Sequence, residues 1–99
     1  MSALLQVRFS GREINLAMDY LNTIKDVKRE IIRIVKIDKK KYDLKLKLKI
    51  LGHKVVSDNL SLMNLKNLRD LEYNNDKGER MLLHCELVRK QKDDKCIVM

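Results

Sequence analysis

The sequence predicts an α+β fold in which a mixed sheet of four to five strands packs on one main helix. Three observations lead to this prediction. Apolar residues alternate with polar ones in several short segments, as in half-buried strands, and one segment near residues 23 to 36 changes to a helical period. The chain has 99 residues, of which 44% are hydrophobic. That is enough apolar sequence for one such core, and we expect no second domain.

The first two strands are predicted to form a hairpin. Apolar side chains alternate with polar ones in residues 4 to 9, and residues 14 to 18 repeat the pattern. Ser10 and Gly11 lie between the two segments and supply a tight turn. The buried positions of this hairpin are predicted to be Leu5, Val7, Phe9, Ile14, Leu16 and Met18.

A helix is predicted from about residue 23 to residue 36. Apolar residues recur three or four positions apart on one face, and the other positions are mostly basic. Thr23 and Asp26 have the spacing of a capping box, in which side chains at the start of a helix satisfy its free N–H groups. The apolar face consists of Ile24, Val27, Ile31 and Ile34 or Val35.

Residues 44 to 50 show the clearest alternation in the chain, so they are predicted to form a strand with a basic outer row. Its inward positions are Leu44, Leu46, Leu48 and Ile50, and its outward positions are Lys45, Lys47 and Lys49. Gly52 ends this strand, and Val55 and Val56 predict a short edge strand. An irregular or partly helical crossover follows, lined by Leu60, Leu62, Leu65, Leu68 and Leu71.

A turn at residues 74 to 78 precedes a last strand at about 80 to 88. Alternation predicts three buried side chains in this strand, Leu83, Cys85 and Leu87, and two exposed ones, His84 and Glu86. We therefore expect a folded domain over residues 1–88 and a flexible basic tail over residues 89–99.

The order strand, strand, helix, strand, short strand, strand is that of a β-grasp. Three segments resemble ubiquitin: residues 23–28 resemble the start of its helix, residues 48–60 its third strand and the following loop, and residues 82–87 its last strand, including the histidine. The resemblance covers roughly residues 4 to 88 and implies a ubiquitin-like β-grasp.

The last four residues, Cys96, Ile97, Val98 and Met99, fit the C-a-a-X prenylation signal, and Met at the final position favours farnesyl over geranylgeranyl. A prenyltransferase activates the thiol, binds the two aliphatic residues and measures from the free carboxylate. We expect Cys96 to be farnesylated, the last three residues to be removed and the new carboxyl group to be methylated.

One prenyl chain gives only marginal membrane binding, so basic residues are expected to add to it. Those in the tail are Arg89, Lys90, Lys92 and Lys95, opposed by Asp93 and Asp94. A second candidate surface, for a membrane or a protein partner, is the outer sheet face, with Lys45, Lys47, Lys49, Arg8, His84 and Glu86. The alternative is that these lysines only solvate the sheet and discourage aggregation.

A ubiquitin-like domain with a C-a-a-X ending is similar to the membrane-anchored ubiquitin-fold proteins. The resemblance implies an adaptor without catalysis, lipid-anchored at the cytoplasmic face of the plasma membrane, that docks partners such as ubiquitin-conjugating enzymes. We also expect a monomer. The tail is shorter than is common in that family, and Lys95 stands where its members often have a second cysteine, so a second acyl chain is not expected.

Two features of ubiquitin are missing. No glycine follows Gly78, so ligation through a terminal Gly-Gly is not expected. Ubiquitin's receptor patch is a Leu, Ile and Val cluster, and matching the strands places Lys49 at the Ile, Glu86 at the Val and Phe9 nearest the Leu. Ordinary ubiquitin receptors are therefore not expected to bind this chain.

Neither an enzyme nor a metal or cofactor site is predicted. His84 and Cys85 are adjacent in a strand, so their side chains should point to opposite faces, and the two cysteines and two histidines lack zinc spacing. The net charge of +8 draws acidic partners in general. Specific nucleic-acid binding is not expected, because the basic face lacks stacking aromatics.

The alternative function is a soluble β-grasp domain whose basic sheet face binds an acidic partner such as a small GTPase. Ras-binding domains of this fold place their key basic residues on the second strand. This chain offers only Arg12 there.

Overall fold

A five-stranded mixed sheet with one main helix makes up the domain, which confirms the predicted α+β class and its β-grasp order. The computed structural model describes residues 2–48, 54–69, 71–74 and 79–89. The elements in chain order are β1 (Ser2–Phe9), β2 (Arg12–Asp19), α1 (Ile24–Val35), β3 (Tyr42–Lys47), α2 (Leu62–Lys66), β4 (Glu72–Asn74) and β5 (Arg80–Arg89).

The sheet is centred on a parallel pair formed by the first and last strands. Val7 of β1 lies beside Leu83 of β5, and the strand order is β2-β1-β5-β3. β2 is antiparallel to β1, and β3 is antiparallel to β5. β4 also pairs with β5, next to residues 80–82, so β3 and β4 follow one another along the same edge of that strand.

The β1–β2 hairpin has a two-residue turn, as predicted. Phe9 pairs with Arg12, and the intervening Ser10 and Gly11 both have positive φ, 49° and 76°. Positive φ at both central residues is the requirement of a type I′ turn, whose twist matches that of the flanking strands. β2 has no partner on its other side among the described strands and is an edge strand.

The core lies between α1 and the facing side of the sheet. Ile24, Val27 and Ile31 of α1 are fully buried, whereas Ile34 is 38% exposed and Val35 only partly buried. The apolar face of the helix is thus the predicted one, with Val35 as its last member. Leu48, directly after β3, also belongs to this core. The sheet contributes Ala3, Leu5, Val7, Phe9, Ile14, Leu16, Leu44, Leu46, Met81 and Leu83.

The start of α1 is held by the predicted capping residues. Thr23 is the N-cap, and its backbone N–H donates to Asp26 Oδ2 at 3.0 Å. This hydrogen bond is the main reason why the pKa of Asp26 lies below its ordinary value, with smaller contributions from Asn22 and the Arg29 guanidinium in the same direction. The carboxylate also lies in the first turn, where the helix dipole favours negative charge.

The crossover after β3 is partly helical, as predicted, and its helical part is α2. Leu62 and Leu65 of α2 are fully buried, and Ser61 caps the helix by accepting a hydrogen bond from Asn64 N at 3.2 Å. The predicted edge strand at Val55 and Val56 is reduced to a single bridge from Lys47 to Val55. The predicted strand positions Lys49 and Ile50, Gly52 and most of the turn at residues 74 to 78 lie outside the described residues.

The predicted burial of β5 is wrong at two positions. Leu87 is 41% exposed, because β1 ends at Phe9 opposite Cys85 and leaves Leu87 with β3 as its only neighbouring strand among those described. His84 is buried, with 8% exposure, because the neighbouring strands carry the long side chains Arg8 and Lys47 beside it. The sequence also missed β4, whose three residues are too few to show a period.

The two leucines of β5 provide a test of this correction. Leu83→Ala should lower the free energy of unfolding by about 2 to 5 kcal/mol, because it leaves a cavity in a fully buried site. Leu87→Ala should cost about 1 kcal/mol or less, because much of that side chain is already in water. Denaturant unfolding measures both, and equal losses would contradict the exposure of Leu87.

The Asp26 cap predicts a pH dependence. Because the folded-state pKa is lowered, ionised Asp26 stabilises the fold above its ordinary value of 3.8, and this contribution is lost as the pH falls through the lowered pKa. Asp26→Asn should therefore be less stable than wild type at neutral pH, and the difference should shrink in acid. Urea unfolding at several pH values measures this difference, and a gap that widens on acidification would contradict it.

Candidate interaction surfaces

The side of the sheet turned away from α1 carries a row of polar and charged side chains on four neighbouring strands. The register aligns Glu13 of β2, Arg8 of β1, His84 of β5 and Lys47 of β3. Beside this row, Lys45 lies opposite Glu86. These residues are called the open sheet face here: Arg8, Glu13, Lys45, Lys47, His84 and Glu86.

Opposite charges are paired on the open sheet face. Arg8 Nε lies 3.5 Å from Glu13 Oε2, and Lys47 Nζ pairs with Glu86 Oε2. Only 14% of the Lys47 side chain is exposed. The lysines of β3 therefore do not make this side of the sheet uniformly basic, because the register brings carboxylates next to the cations. Lys49, the third predicted outward lysine, lies outside the described residues.

His84 lies beneath the charged groups and is buried, so the prediction that it is exposed is wrong. β5 is a central strand, and at the level of His84 its two neighbours carry the long side chains Arg8 and Lys47. His84 Nε2 is 3.6 Å from Glu72 Oε1, and its Nδ1 is buried without a hydrogen-bond partner in the part of the chain that the structure describes. The ring contributes little accessible surface to a partner.

The positions matched to ubiquitin's receptor patch do not form an apolar surface. Phe9, matched to the Leu, belongs to the core and is 8% exposed. Glu86, matched to the Val, is exposed and charged, and the described β3 residue beside His84 is Lys47. An apolar hot spot is therefore absent from these matched and described positions.

Cys85 and His84 lie on opposite sides of the sheet, as predicted from their adjacency. Cys85 packs against the core, and burial raises the pKa of its thiol to about 12. The Lys28 ammonium opposes this rise to a smaller extent. Because the thiolate is the nucleophile, we expect Cys85 to react slowly at neutral pH.

Neither a cluster of metal ligands nor a membrane-spanning helix is found among the described residues. No three His, Cys, Asp or Glu side chains come together there in a way that could hold a metal ion. None of the helices formed by those residues has the length and apolar content needed to cross a bilayer.

A basic surface that the sequence analysis missed lies between α1 and β3. Residues 36–41, called the lysine loop here, contain four lysines and one aspartate. The lysines are Lys36, Lys39, Lys40 and Lys41, and all four are exposed. A run of four lysines within six residues was the available signal, but such a run is usually only a solvated loop.

The backbone of the lysine loop is fixed by local hydrogen bonds. Lys36 ends α1 in the left-handed conformation, with its N–H donating to Ile32 O. Asp38 Oδ1 accepts from Lys40 N at 2.9 Å, and Asp38 O accepts from Lys41 N at 3.1 Å. Tyr42 N donates to the same carbonyl, and β3 begins at this residue.

The lysine loop meets the described end of β5. Tyr42 pairs with Arg89, which is exposed and is the last described residue. The other predicted site residues of the tail, Lys90, Lys92, Lys95, Cys96, Ile97, Val98 and Met99, lie outside the described residues. Their roles in prenylation and membrane attachment stay predictions.

Comparison with known proteins identifies the fold. No family model and no curated protein matches the sequence. Among solved structures, the chain is similar to the UBL domain of Plasmodium falciparum Dsk2, with 22% identity, a TM-score of 0.57 and coverage of 91% of this chain and 100% of that one. It is also similar to Caldiarchaeum subterraneum ubiquitin, with 14% identity, a TM-score of 0.57 and coverage of 94% and 100%.

A third similar structure is that of the Arabidopsis thaliana protein At2g32350, with 14% identity, a TM-score of 0.58 and coverage of 95% of each chain. These likenesses extend over nearly the whole chain. They show that the domain has the ubiquitin-like β-grasp fold.

The raised pKa of Cys85 predicts a slow reaction with alkylating reagents. In a Cys96→Ser variant, the remaining thiol should react with iodoacetamide much more slowly in the native protein than in urea-unfolded protein, because burial disfavours the thiolate. Mass spectrometry of timed samples measures both rates. A Cys85→Ser variant gives the matched rate of Cys96, and equal native rates for the two variants would contradict the prediction.

Proposed function

We propose that this chain is a membrane-anchored ubiquitin-like adaptor: farnesylated at Cys96, it is held at the cytoplasmic face of the plasma membrane and binds a protein partner there. The observation that carries the proposal is the sequence Cys-Ile-Val-Met at positions 96–99 after a domain with the ubiquitin-like fold. Prenylation requires Met99 to carry the free carboxylate from which the transferase measures.

The chemistry of the two cysteines supports modification at Cys96. They are the only two thiols in the sequence. Cys85 is held against the core in the centre of the sheet, and burial raises its pKa to about 12. A transferase that works on a thiolate near a chain end has no comparable access to Cys85. Cys96 is therefore the proposed lipid attachment point.

The open sheet face supports an adaptor that recognises a partner by its charge pattern. Its cations and carboxylates lie on neighbouring strands of a rigid sheet, with Arg8 beside Glu13 and Lys47 beside Glu86. Fixed charges of both signs select a partner of complementary pattern and oppose others. We propose that this partner is a protein such as a ubiquitin-conjugating enzyme.

The same pairing disfavours the alternative of a soluble domain with a basic sheet face. A uniformly acidic partner, such as a small GTPase, would have to approach Glu13 and Glu86 together with the cations. Arg12, the only basic residue of β2, lies at the hairpin turn beside Glu13. The open sheet face therefore suits a partner of mixed charge better.

Fractionation of cells of the native host provides the test. Wild-type chain should be recovered with membranes, and its intact mass should show one farnesyl group, loss of residues 97–99 and one methyl group. Cys96→Ser should be unmodified and cytosolic, because it lacks the acceptor sulfur. Met99→Leu should instead carry geranylgeranyl, because the last residue selects the transferase.

Cys85→Ser is the matched control and should behave as wild type. Equal distribution of wild type and Cys96→Ser between membrane and cytosol would refute the proposal, as would an unmodified thiol in the wild-type mass. The same fractions report on the adaptor role. A ubiquitin-conjugating enzyme bound by the chain should be recovered with the wild-type membranes and not with those from cells expressing Cys96→Ser.

A further inference from the structure

The end of the domain from which the tail continues carries the lysine loop. We propose that the lysine loop binds the anionic headgroups of a phospholipid membrane and supplies the second signal that a single prenyl chain needs. This inference rests on the proposed function for its biological setting. The lysine loop is a surface separate from both the tail and the open sheet face.

The register of the sheet places the lysine loop beside the origin of the tail. Tyr42, which follows the loop, pairs with Arg89, so the two backbones are about 5 Å apart. Cys96 is seven residues beyond Arg89 and can lie at most about 25 Å away along an extended chain. A lipid attached there cannot enter a membrane without bringing this end of the domain close to its surface.

Three lysines of the lysine loop, Lys36, Lys40 and Lys41, present their charges without a neutralising carboxylate among the described residues. No ion pair joins Lys36, Lys40 or Lys41 to another residue in the described ranges. The only acid in the loop is Asp38, whose Oδ1 already accepts the Lys40 N–H. The open sheet face differs from the loop, because its cations Arg8 and Lys47 are both paired with carboxylates.

The start of α1, at the opposite end of the domain, carries charges of both signs. At the other end of β2 and α1, the Asp19 carboxylate accepts a hydrogen bond from Leu21 N, and the Asp26 carboxylate accepts one from Thr23 N. Basic residues lie there as well, because Arg29 pairs with Asp26 at 3.2 Å and Lys25 is exposed. The start of the helix thus carries both signs of charge, whereas its end carries mainly lysines. An anionic surface attracts the lysine loop more strongly than the start of α1, where the two signs offset each other.

The gain in membrane affinity expected from the lysine loop is large enough to measure. Each lysine near an anionic leaflet strengthens binding about fivefold. The tail contributes four basic residues but also two aspartates between Lys92 and Lys95, whereas the lysine loop contributes four lysines against one aspartate. The loop therefore adds at least as much net charge as the tail does.

Vesicle binding of lipidated protein tests the inference independently of any cellular transferase. A farnesyl group is coupled chemically to Cys96, which is selective because Cys85 is buried with a raised pKa. Binding to phosphatidylcholine vesicles with and without phosphatidylserine is then measured by co-sedimentation. Wild-type protein should bind much more tightly when phosphatidylserine is present.

The decisive comparison uses two double variants with the same change in charge. Lys40→Glu/Lys41→Glu should lose at least about tenfold in binding to the phosphatidylserine vesicles, because two attractive charges become repulsive. Lys25→Glu/Arg69→Glu changes two exposed residues away from the tail and should lose less than about threefold. Both should match wild type on pure phosphatidylcholine, where only the lipid chain acts.

Equal losses in the two double variants would overturn the inference, because net charge alone would then explain the binding. No dependence on phosphatidylserine in wild type would also overturn it and would point to an acidic protein as the partner of the loop. If the Lys40→Glu/Lys41→Glu protein does not fold, Lys40→Gln/Lys41→Gln takes its place, and its expected loss of binding is intermediate. Failure of prenylation in cells would instead defeat the proposed function and leave this vesicle result valid.

Discussion

The parallel pairing of β1 with β5 is the constraint on which the rest of the structure depends. It joins residues 5–9 to residues 81–85 in the middle of the sheet, so the hairpin must lie on one side and β3 on the other. α1 has to cross the covered side of the sheet to connect β2 with β3. The same connection carries the lysine loop to the end of β5, where the tail begins.

Hydrophobic periodicity was enough to predict most of the fold. The alternation around Leu5 and Leu46 and the helical spacing from Ile24 to Ile31 each indicate which side of an element is buried. Periodicity does not show how far a neighbouring strand extends, which is why Leu87 was wrongly predicted to be buried. It also does not show which side chains flank a position, so the burial of His84 beneath Arg8 and Lys47 was not foreseen.

The charge of a surface was harder to predict than its position. Lys45 and Lys47 point away from the core as expected. The net charge of the surface they form also depends on Glu86, which is about forty residues away in the chain and adjacent in the sheet. In the same way, a run of lysines after a helix has no evident role until the pairing of Tyr42 with Arg89 places it beside the tail. Contacts between distant segments decided both cases, and a single sequence does not contain them.

The edge of β2 that pairs with no described strand bears on how the domain behaves at high local density. An unpaired strand offers backbone N–H and C=O groups to any second strand that approaches, and confinement to two dimensions raises the rate of such encounters. Arg12 and Glu13 begin this edge and Asp19 ends it, all three exposed. Charged side chains along an edge strand oppose the addition of another strand, so these three residues disfavour edge-to-edge association of crowded molecules.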